Sequence, residues 1–517
     1  MECIIPKNQS LLYLMFSKYF ITCFLLCQLP VLRPVSAQSL DTELAQILND
    51  YQLMGMSVVE VCEGQVNFSG AYGLADYDDN IPVTGNTFYR IASVSKSVTA
   101  TALMILYDQG FFDLDDDINN YLGYSIRNWH YPNDPITFRM LLSHTSSIVD
   151  GSKYDNFLSA TYAQNPPPSI STYFVAGGSY YTGNIFLNKK PGQYFSYSNS
   201  NFGLIGTLIE KISGQRFDIF CKQHILDPLG ITGSFNVQDL PDISDVAVLY
   251  RYSGNNWLPQ ADNYNGVMPP PLNLSQYVVG NNGFIFSPQG GLRISANDLA
   301  TFMLMLANDG TYNNTAILQS TTAALMHDVQ WQYNGSNGND YYGLFKAWGL
   351  GLHLTTNTAG SDIVFPGRTM AGHPGEAYGL ISDMYFDSVK NGVIFITNGS
   401  KFPYVVGAGS AFYTVEKEIF DAVYADLLNC AAATDPRQVS DFEIVPNPAI
   451  DWLTVHSSIP DGLRNMEKIT IYDIYGNLWY TAPAVSGSIN VAALPHGTYR
   501  LGFKVHDAYY QLPFIRL

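Results

Sequence analysis

The sequence predicts a large mixed α/β domain followed by a small all-β module, and three observations lead there. At 517 residues the chain is too long for one ordinary core, so two or three units are expected. Hydrophobic residues make up 47% against 14% charged, which excludes a largely disordered protein. From about Leu40 to Cys430 helical and β-rich runs are interleaved, whereas beyond Ala431 only short alternating segments follow.

The elements follow in order. Residues 1–37 read as a signal peptide: Lys7 and Lys18 give a basic start, "YFITCFLLCQLPVL" an apolar stretch too short to span a bilayer, and "VSA" a small-residue cleavage site ending at Ala37. No later stretch reaches about 18 uninterrupted apolar residues, so no membrane span is expected in the mature chain. Met56 to Gly73 reads as a hairpin around Glu63-Gly64. The segment after Ser93 predicts an amphipathic helix with Val98, Ala102, Leu103 and Leu106 on one side, stopping before Gly110. Ser200 to Gly214 is a second helix, with Phe202, Ile205, Leu208, Ile209 and Ile212 inward. Ser295 to Gly310 is a third, opened by a capping box from Ser295 to Asp298. Tyr378–Phe386 and Gly392–Gly399 read as strands, and a helix from Ala411 to Leu428 closes the unit. Residues 431–440 read as a linker, and 441–517 as a β-sandwich of roughly 75 residues. In it "TYRLGFKV" alternates Tyr499, Leu501, Phe503 and Val505 on one face, and "IYDIYGN" and "VHDAYY" mark hairpin turns.

The formal net charge is −18 with no long basic run, which argues against nucleic acid and anionic membranes as partners. Three of the six cysteines lie in the signal peptide. Cys62, Cys221 and Cys430 are too few and too dispersed for a disulfide framework or a zinc site. One bridge could form, but burial of all three as small hydrophobes is the reading favoured.

The chemistry centres on "IASVSKSVTA". Ser93 and Lys96 are three apart, which on a helix puts both on one face with Cβ atoms about 5–6 Å apart. Ser95 and Ser97 point elsewhere, so Ser93 is the serine that a neutral lysine amine could deprotonate. The positive helix end, together with burial, lowers the lysine pKa and helps hold an oxyanion. A chain of this length contains on the order of one or two S-x-x-K strings by chance, so the string needs company. "PGQYFSYSNSNFG" supplies Tyr197 and Asn199 at a turn before a helix, and "AGHPGEAYGL" supplies His373 and Gly375 at a strand. Taken singly, Tyr197 is more often a packed aromatic, Asn199 a helix cap and His373 a turn residue.

In this order the three strings resemble the serine β-lactamase/penicillin-binding-protein superfamily: S-x-x-K, then Y-x-N, then a strand motif written K-T-G or H-x-G, here 104 and 176 residues apart. The text around them, "FYRIASVSKSVTATALMILYDQG", "ITFRMLLSHTSSI" and "QGGLRISANDLATFMLMLANDG", carries the resemblance from about Leu40 to Leu428. It implies an antiparallel sheet flanked by helices, with an all-helical region carrying Tyr197. By that resemblance Ser93 is the acyl-forming nucleophile, and Lys96 and Tyr197 share proton transfer, either serving as base. Asn199 orients the lysine and a substrate amide, and the oxyanion hole uses the backbone N–H of Ser93 and of Glu376. His373 stands where the lysine of K-T-G lies and is only partly charged near neutrality. That change implies an esterase, D-aminopeptidase or carboxypeptidase rather than an efficient β-lactamase. His144 matches a structural position of the family. No cofactor or metal is implied. The Tyr-, Pro- and Gly-rich segment 151–190 is expected to overhang the cleft.

At the other end, "FEIVPNPAIDWLTV", "ITIYDIYGNL", "LPHGTYRLGF" and the terminal "FIRL" resemble a type IX secretion C-terminal sorting domain. That resemblance implies a partner in the secretion machinery and a secreted or surface location. The resulting expectation is an exported serine hydrolase for an ester or amide, small-molecule or peptide. The alternatives are a non-catalytic penicillin- or ligand-binding relative and a surface adhesin. The joint presence of Ser93, Lys96, Tyr197 and Asn199 argues against the first of these.

Overall fold

The computed structural model describes residues 39–433, 442–447, 449–457, 466–473, 478–483, 488–505 and 508–516. The expected signal peptide, most of the linker, and the turns at 474–477 and 506–507 lie outside the described residues.

The elements that position the site are α1 (Leu40–Asp50), β1 (Gly55–Cys62), β2 (Gln65–Asp76), α2 (Ser95–Asp108), α3 (Tyr154–Ala163), α4 (Asn199–Ser213) and α5 (Ala296–Ala307). They continue with β3 (Ala371–Ala377), β4 (Leu380–Phe386), β5 (Gly392–Thr397) and α6 (Thr414–Ala433). The sheet has nine strands, antiparallel at every pairing. Three two-residue strands come first, then β3-β4-β5-β1-β2, then Ile81–Pro82.

Successive side chains on a strand point to opposite faces, and here both faces are buried. Val58, Ile381, Tyr385, Val393 and Phe395 join one core with Leu44 and Ile47 of α1 and Ile419 and Val423 of α6. Val59, Val61, Leu380, Met384, Ile394 and Ile396 join the other, against α2, α4 and α5. A strand buried on both faces reads as a continuous apolar run, which is why "GVIFIT" carries no polar alternation.

Helix α2 is buried at every position from Ser95 to Leu106. The expected amphipathic helix is therefore a central one, and its polar residues Thr99 and Thr101 are satisfied internally. Thr99 Oγ1 donates to the Pro288 carbonyl and Thr101 Oγ1 to the Ser97 carbonyl. Ser95 caps no turn but accepts the Leu292 amide at 3.1 Å, so it does point away from Lys96. Of the expected capping box the forward half forms: Ser295 Oγ accepts the Asp298 amide at 3.0 Å. The reading of all three mature cysteines as buried hydrophobes is corrected. Cys62 and Cys430 form a disulfide, and Cys221 alone is free and buried. The pairing follows from β1 and α6 packing together through one core, which brings the two thiols within bonding reach across 368 residues.

Beyond residue 441 a three-stranded sheet (Phe442–Val445, Trp452–Ser457, Ser488–Asn490) and a four-stranded one (Leu478–Pro483, Met466–Asp473, Gly497–Val505, Ala508–Arg516) share a core. Tyr499, Leu501 and Phe503 face inward as their alternation requires. No helix among the described residues is long and apolar enough to cross a membrane.

Candidate active site

Ser93 does not sit on α2 itself but in the single 3-10 turn Ala92–Val94 that leads into it. Ala92 is held at φ +47°, a left-handed conformation that costs a residue with a Cβ about 1–2 kcal/mol. Three contacts hold it there. The Ile91 amide donates to the Leu292 carbonyl at 3.0 Å, Ser382 Oγ donates to the Ile91 carbonyl at 2.8 Å, and the Leu292 amide is held by Ser95. The outcome is a partly exposed Ser93 at the wall of a cleft, above a lysine with no exposed surface.

Lys96 Nζ makes three short polar contacts, to Ser93 Oγ at 3.0 Å, Asn199 Oδ1 at 2.9 Å and the Gln289 carbonyl at 2.6 Å. Burial lowers its pKa to about 7, against a smaller upward pull from Asp150. Burial is therefore the dominant cause, ahead of any effect of the helix end. The Tyr197 ring lies 5.0 Å from the lysine nitrogen. Burial pushes its phenol well above the ordinary value, offset only in part by the Ser93 hydroxyl. His144 packs against Tyr197 at 4.4 Å between centroids and accepts the Ser198 amide at Nδ1, the structural position expected of it.

His373 is fully buried, with its ring 5.9 Å from that of Tyr197 and 5.3 Å from that of Trp348. Burial, and then Lys96, hold its pKa well below the usual value. The partial charge expected at this position is corrected to none, because a desolvated imidazole beside a lysine cannot retain a second proton. Gly375 passes directly over the serine turn. A Cβ there would lie 2.4 Å from Ser382 Oγ, 2.9 Å from the Ile91 carbonyl and 3.1 Å from the Ser93 amide nitrogen. Only glycine permits this approach. Glu376 follows on the same strand, exposed at the cleft, with its carboxylate accepting the Tyr413 hydroxyl at 2.9 Å.

The cleft has a volume of about 740 Å³ and reaches Ser93 and Asn199. Tyr154, Leu158 and Tyr162 of α3 line it, so part of segment 151–190 borders the cleft. Residues 235–238 and parts of segment 260–272, among them Asp262, Tyr264 and Pro269, also line it, and no sequence signal marked them. Arg90 and Arg293 form part of its wall, both paired to Asp262. Asp150 also escaped the sequence reading. It stands six residues after His144, and its carboxylate is bound by the residues at the start of α4.

Residues 40–409 match the model of the Beta-lactamase family, and residues 443–511 match the Secretion system C-terminal sorting domain, which marks the chain for type IX secretion to the cell surface or outside. Protein flp of Staphylococcus aureus (strain MRSA252) is 27% identical over 230 residues, 44% of this chain and 44% of that protein. The chain thus spans less than half the length of this relative. Two solved structures are similar: an octameric penicillin-binding protein homologue from Pyrococcus abyssi and a D-amino acid amidase from Ochrobactrum anthropi SV3. The first has a TM-score of 0.56 at 20% identity, covering 92% of this chain and 95% of that one. The second has a TM-score of 0.53 at 20% identity, covering 76% and 99%. With the family model covering well over half of the sequence, the chain belongs to the Beta-lactamase family.

Proposed function

We propose that the protein is an exported serine hydrolase that cleaves an ester or amide, including amides of D-amino acids, through an acyl-enzyme on Ser93. One observation carries this reading: the distribution of hydrogen bonds around Lys96. A neutral amine has two N–H bonds and one lone pair. Asn199 Oδ1 and the Gln289 carbonyl are both acceptors only, so they take the two N–H bonds. The lone pair is then left for the Ser93 hydroxyl 3.0 Å away. With a pKa of about 7 the amine is neutral in a large fraction of molecules at physiological pH.

In the reaction, Lys96 takes the Ser93 proton as Oγ bonds to the substrate carbonyl carbon. The amides of Ser93 and Glu376 stabilise the oxyanion. The bond to the leaving group breaks as that group receives the proton, by way of Tyr197. Water then repeats the sequence on the acyl-enzyme, releasing the acid and restoring Ser93. Tyr197, held far above neutrality as a phenol, serves as relay and donor rather than as the resting base. Asn199 orients Lys96 and a substrate amide, and His373 packs uncharged behind the site against Tyr197 and Trp348. The amidase among the structural neighbours makes D-amino acid amides the first amides to screen.

The test is hydrolysis of p-nitrophenyl acetate and butyrate by the purified protein beside Ser93→Ala. Loss of turnover in the variant supports the reading, and equal rates in both overturn it. A chromogenic cephalosporin should be turned over slowly or not at all. The cleft lining offers only Arg90 and Arg293 as cations for its carboxylate, and both are already tied to Asp262.

A further inference from the structure

Asp150 belongs to none of the three motifs, yet five donors converge on it. Its carboxylate accepts from Asn199 Nδ2 at 2.9 Å, the Asn199 amide at 3.3 Å, the Ser200 amide and hydroxyl both at 2.8 Å, and the Ser198 hydroxyl at 3.1 Å. We propose that Asp150 is the positioning residue of this site: by holding Nδ2 of Asn199 it leaves Oδ1 to face Lys96, and so keeps the lysine amine in reach of Ser93. The proposal rests on the acyl-enzyme reading above and adds to it the group that sets the geometry of the base.

The reasoning starts from the asymmetry of a primary amide. One end only donates and the other only accepts. Asn199 sits between a carboxylate and an amine, and in the observed orientation both ends are matched. Turned over, the NH₂ group would meet the Lys96 N–H bonds and the oxygen would meet the Asp150 carboxylate, so both contacts fail together. Without Asp150 only the lysine side would discriminate. The same carboxylate closes the first turn of α4 from outside. Ser198, the residue ahead of that helix, makes no side-chain cap of its own, and the amides of Asn199 and Ser200 end on Asp150 instead. One group therefore fixes both the backbone that carries Asn199 and the rotation of its amide.

Asp150 also acts on Lys96 through its charge. It raises the lysine pKa against the lowering effect of burial. The other titratable groups around Lys96 are His144 and His373, both pushed far down and neutral, and Tyr197, pushed up and neutral. The groups that feel Asp150 on its remaining sides are the phenols of Tyr154, Tyr173 and Tyr341, all raised and uncharged near neutrality. Asp150 is thus the one acid acting on the base, and its removal has a signed consequence. The lysine becomes easier to deprotonate even as it becomes less well aimed.

The test measures phosphonylation of Ser93 by a fluorophosphonate, in which the Oγ–P bond forms as fluoride leaves and the serine proton passes to the base. Rates are taken from pH 5 to 9 by mass spectrometry on the full chain, its Asp150→Asn, Asp150→Ala and Ser93→Ala variants, with a Tm for each. In Asp150→Asn the midpoint of the rise with pH should fall by about half a unit to one unit. Its plateau rate, corrected for the folded fraction, should drop about ten- to a hundredfold. An unmoved midpoint, or a rate loss matched by the fraction unfolded, would reduce Asp150 to a helix cap and overturn the proposal. Asp150→Asn keeps the shape of the side chain, so the result stands even where Asp150→Ala does not fold. Labelling that is absent from the wild type, or that survives in Ser93→Ala, overturns the acyl-enzyme reading itself, a different signature from either outcome at Asp150.

Discussion

Lys96 is a lysine without exposed surface, and its burial defines its chemistry. Desolvation penalises the ammonium form, and only Asp150 opposes it, so the amine titrates at about 7 rather than near 10. The sign of the pH dependence follows. In the proposed mechanism the neutral amine is the base, so below pH 7 the competent fraction falls about tenfold per unit, and above it the fraction levels off. A profile of kcat/KM for an ester substrate should therefore show one acid limb with a midpoint near 7. The S-x-x-K spacing was legible because i and i+3 share a helix face. The neutrality of His373 was not, because it depends on Trp348, Tyr197 and Lys96, which reach it from three distant parts of the chain.

At the scale of elements, the close fit lies between a turn and a strand. The 3-10 turn Ala92–Val94 and β3 meet so tightly that Gly375 has no room for a side chain. Gly375→Ala should push β3 away from Ser93 and separate the two amides of the proposed oxyanion hole. Loss of a single oxyanion donor costs about 2.7–4 kcal/mol in the transition state, a drop of about a hundred- to a thousandfold in kcat. Comparison of kcat and Tm for the variant checks this, because a purely structural effect would lower Tm and leave the kcat of the folded fraction intact. The sequence reading placed the start of the helix at Ser93, whereas α2 begins at Ser95. Its amphipathic expectation failed for a definable reason. Small and hydroxylated residues on the second face, Thr99, Ala100 and Thr101, look solvent-facing in isolation but pack against neighbours brought in by tertiary contacts. In α4 the residues expected inward, Phe202, Ile205, Leu208 and Ile209, are buried, but so is every position from Ser200 to Glu210, and Ile212 is half-buried.

For the whole molecule, the sheet separates two cores, and the disulfide belongs to the core opposite α2. Cys62 at the end of β1 and Cys430 near the end of α6 tie that helix to the sheet. Closing so long a loop restricts the unfolded chain, and the double variant Cys62→Ser/Cys430→Ser should lose about 2–5 kcal/mol of stability. Urea unfolding with and without reductant measures the loss, and native ester turnover in the folded fraction should persist, since α2 and the serine turn belong to the other core. A bridge of this kind suits a chain sorted to the cell surface or outside, where thiols oxidise.

By itself the sequence determined the fold class, the hairpin of β1 and β2, the identity and order of Ser93, Lys96, Tyr197, Asn199, His373, Gly375 and Glu376, and the sorting module. All of these rest on local patterns, on helical and strand periodicity, or on motif strings that survive being read one residue at a time. Tertiary structure alone decided the Cys62–Cys430 pairing, the lining of the cleft by residues 235–238 and parts of 260–272, the loss of charge at His373, and the convergence of five donors on Asp150. Each of these depends on which distant segments share a space. Burial and pairing between such segments have no period along the chain from which they could be read.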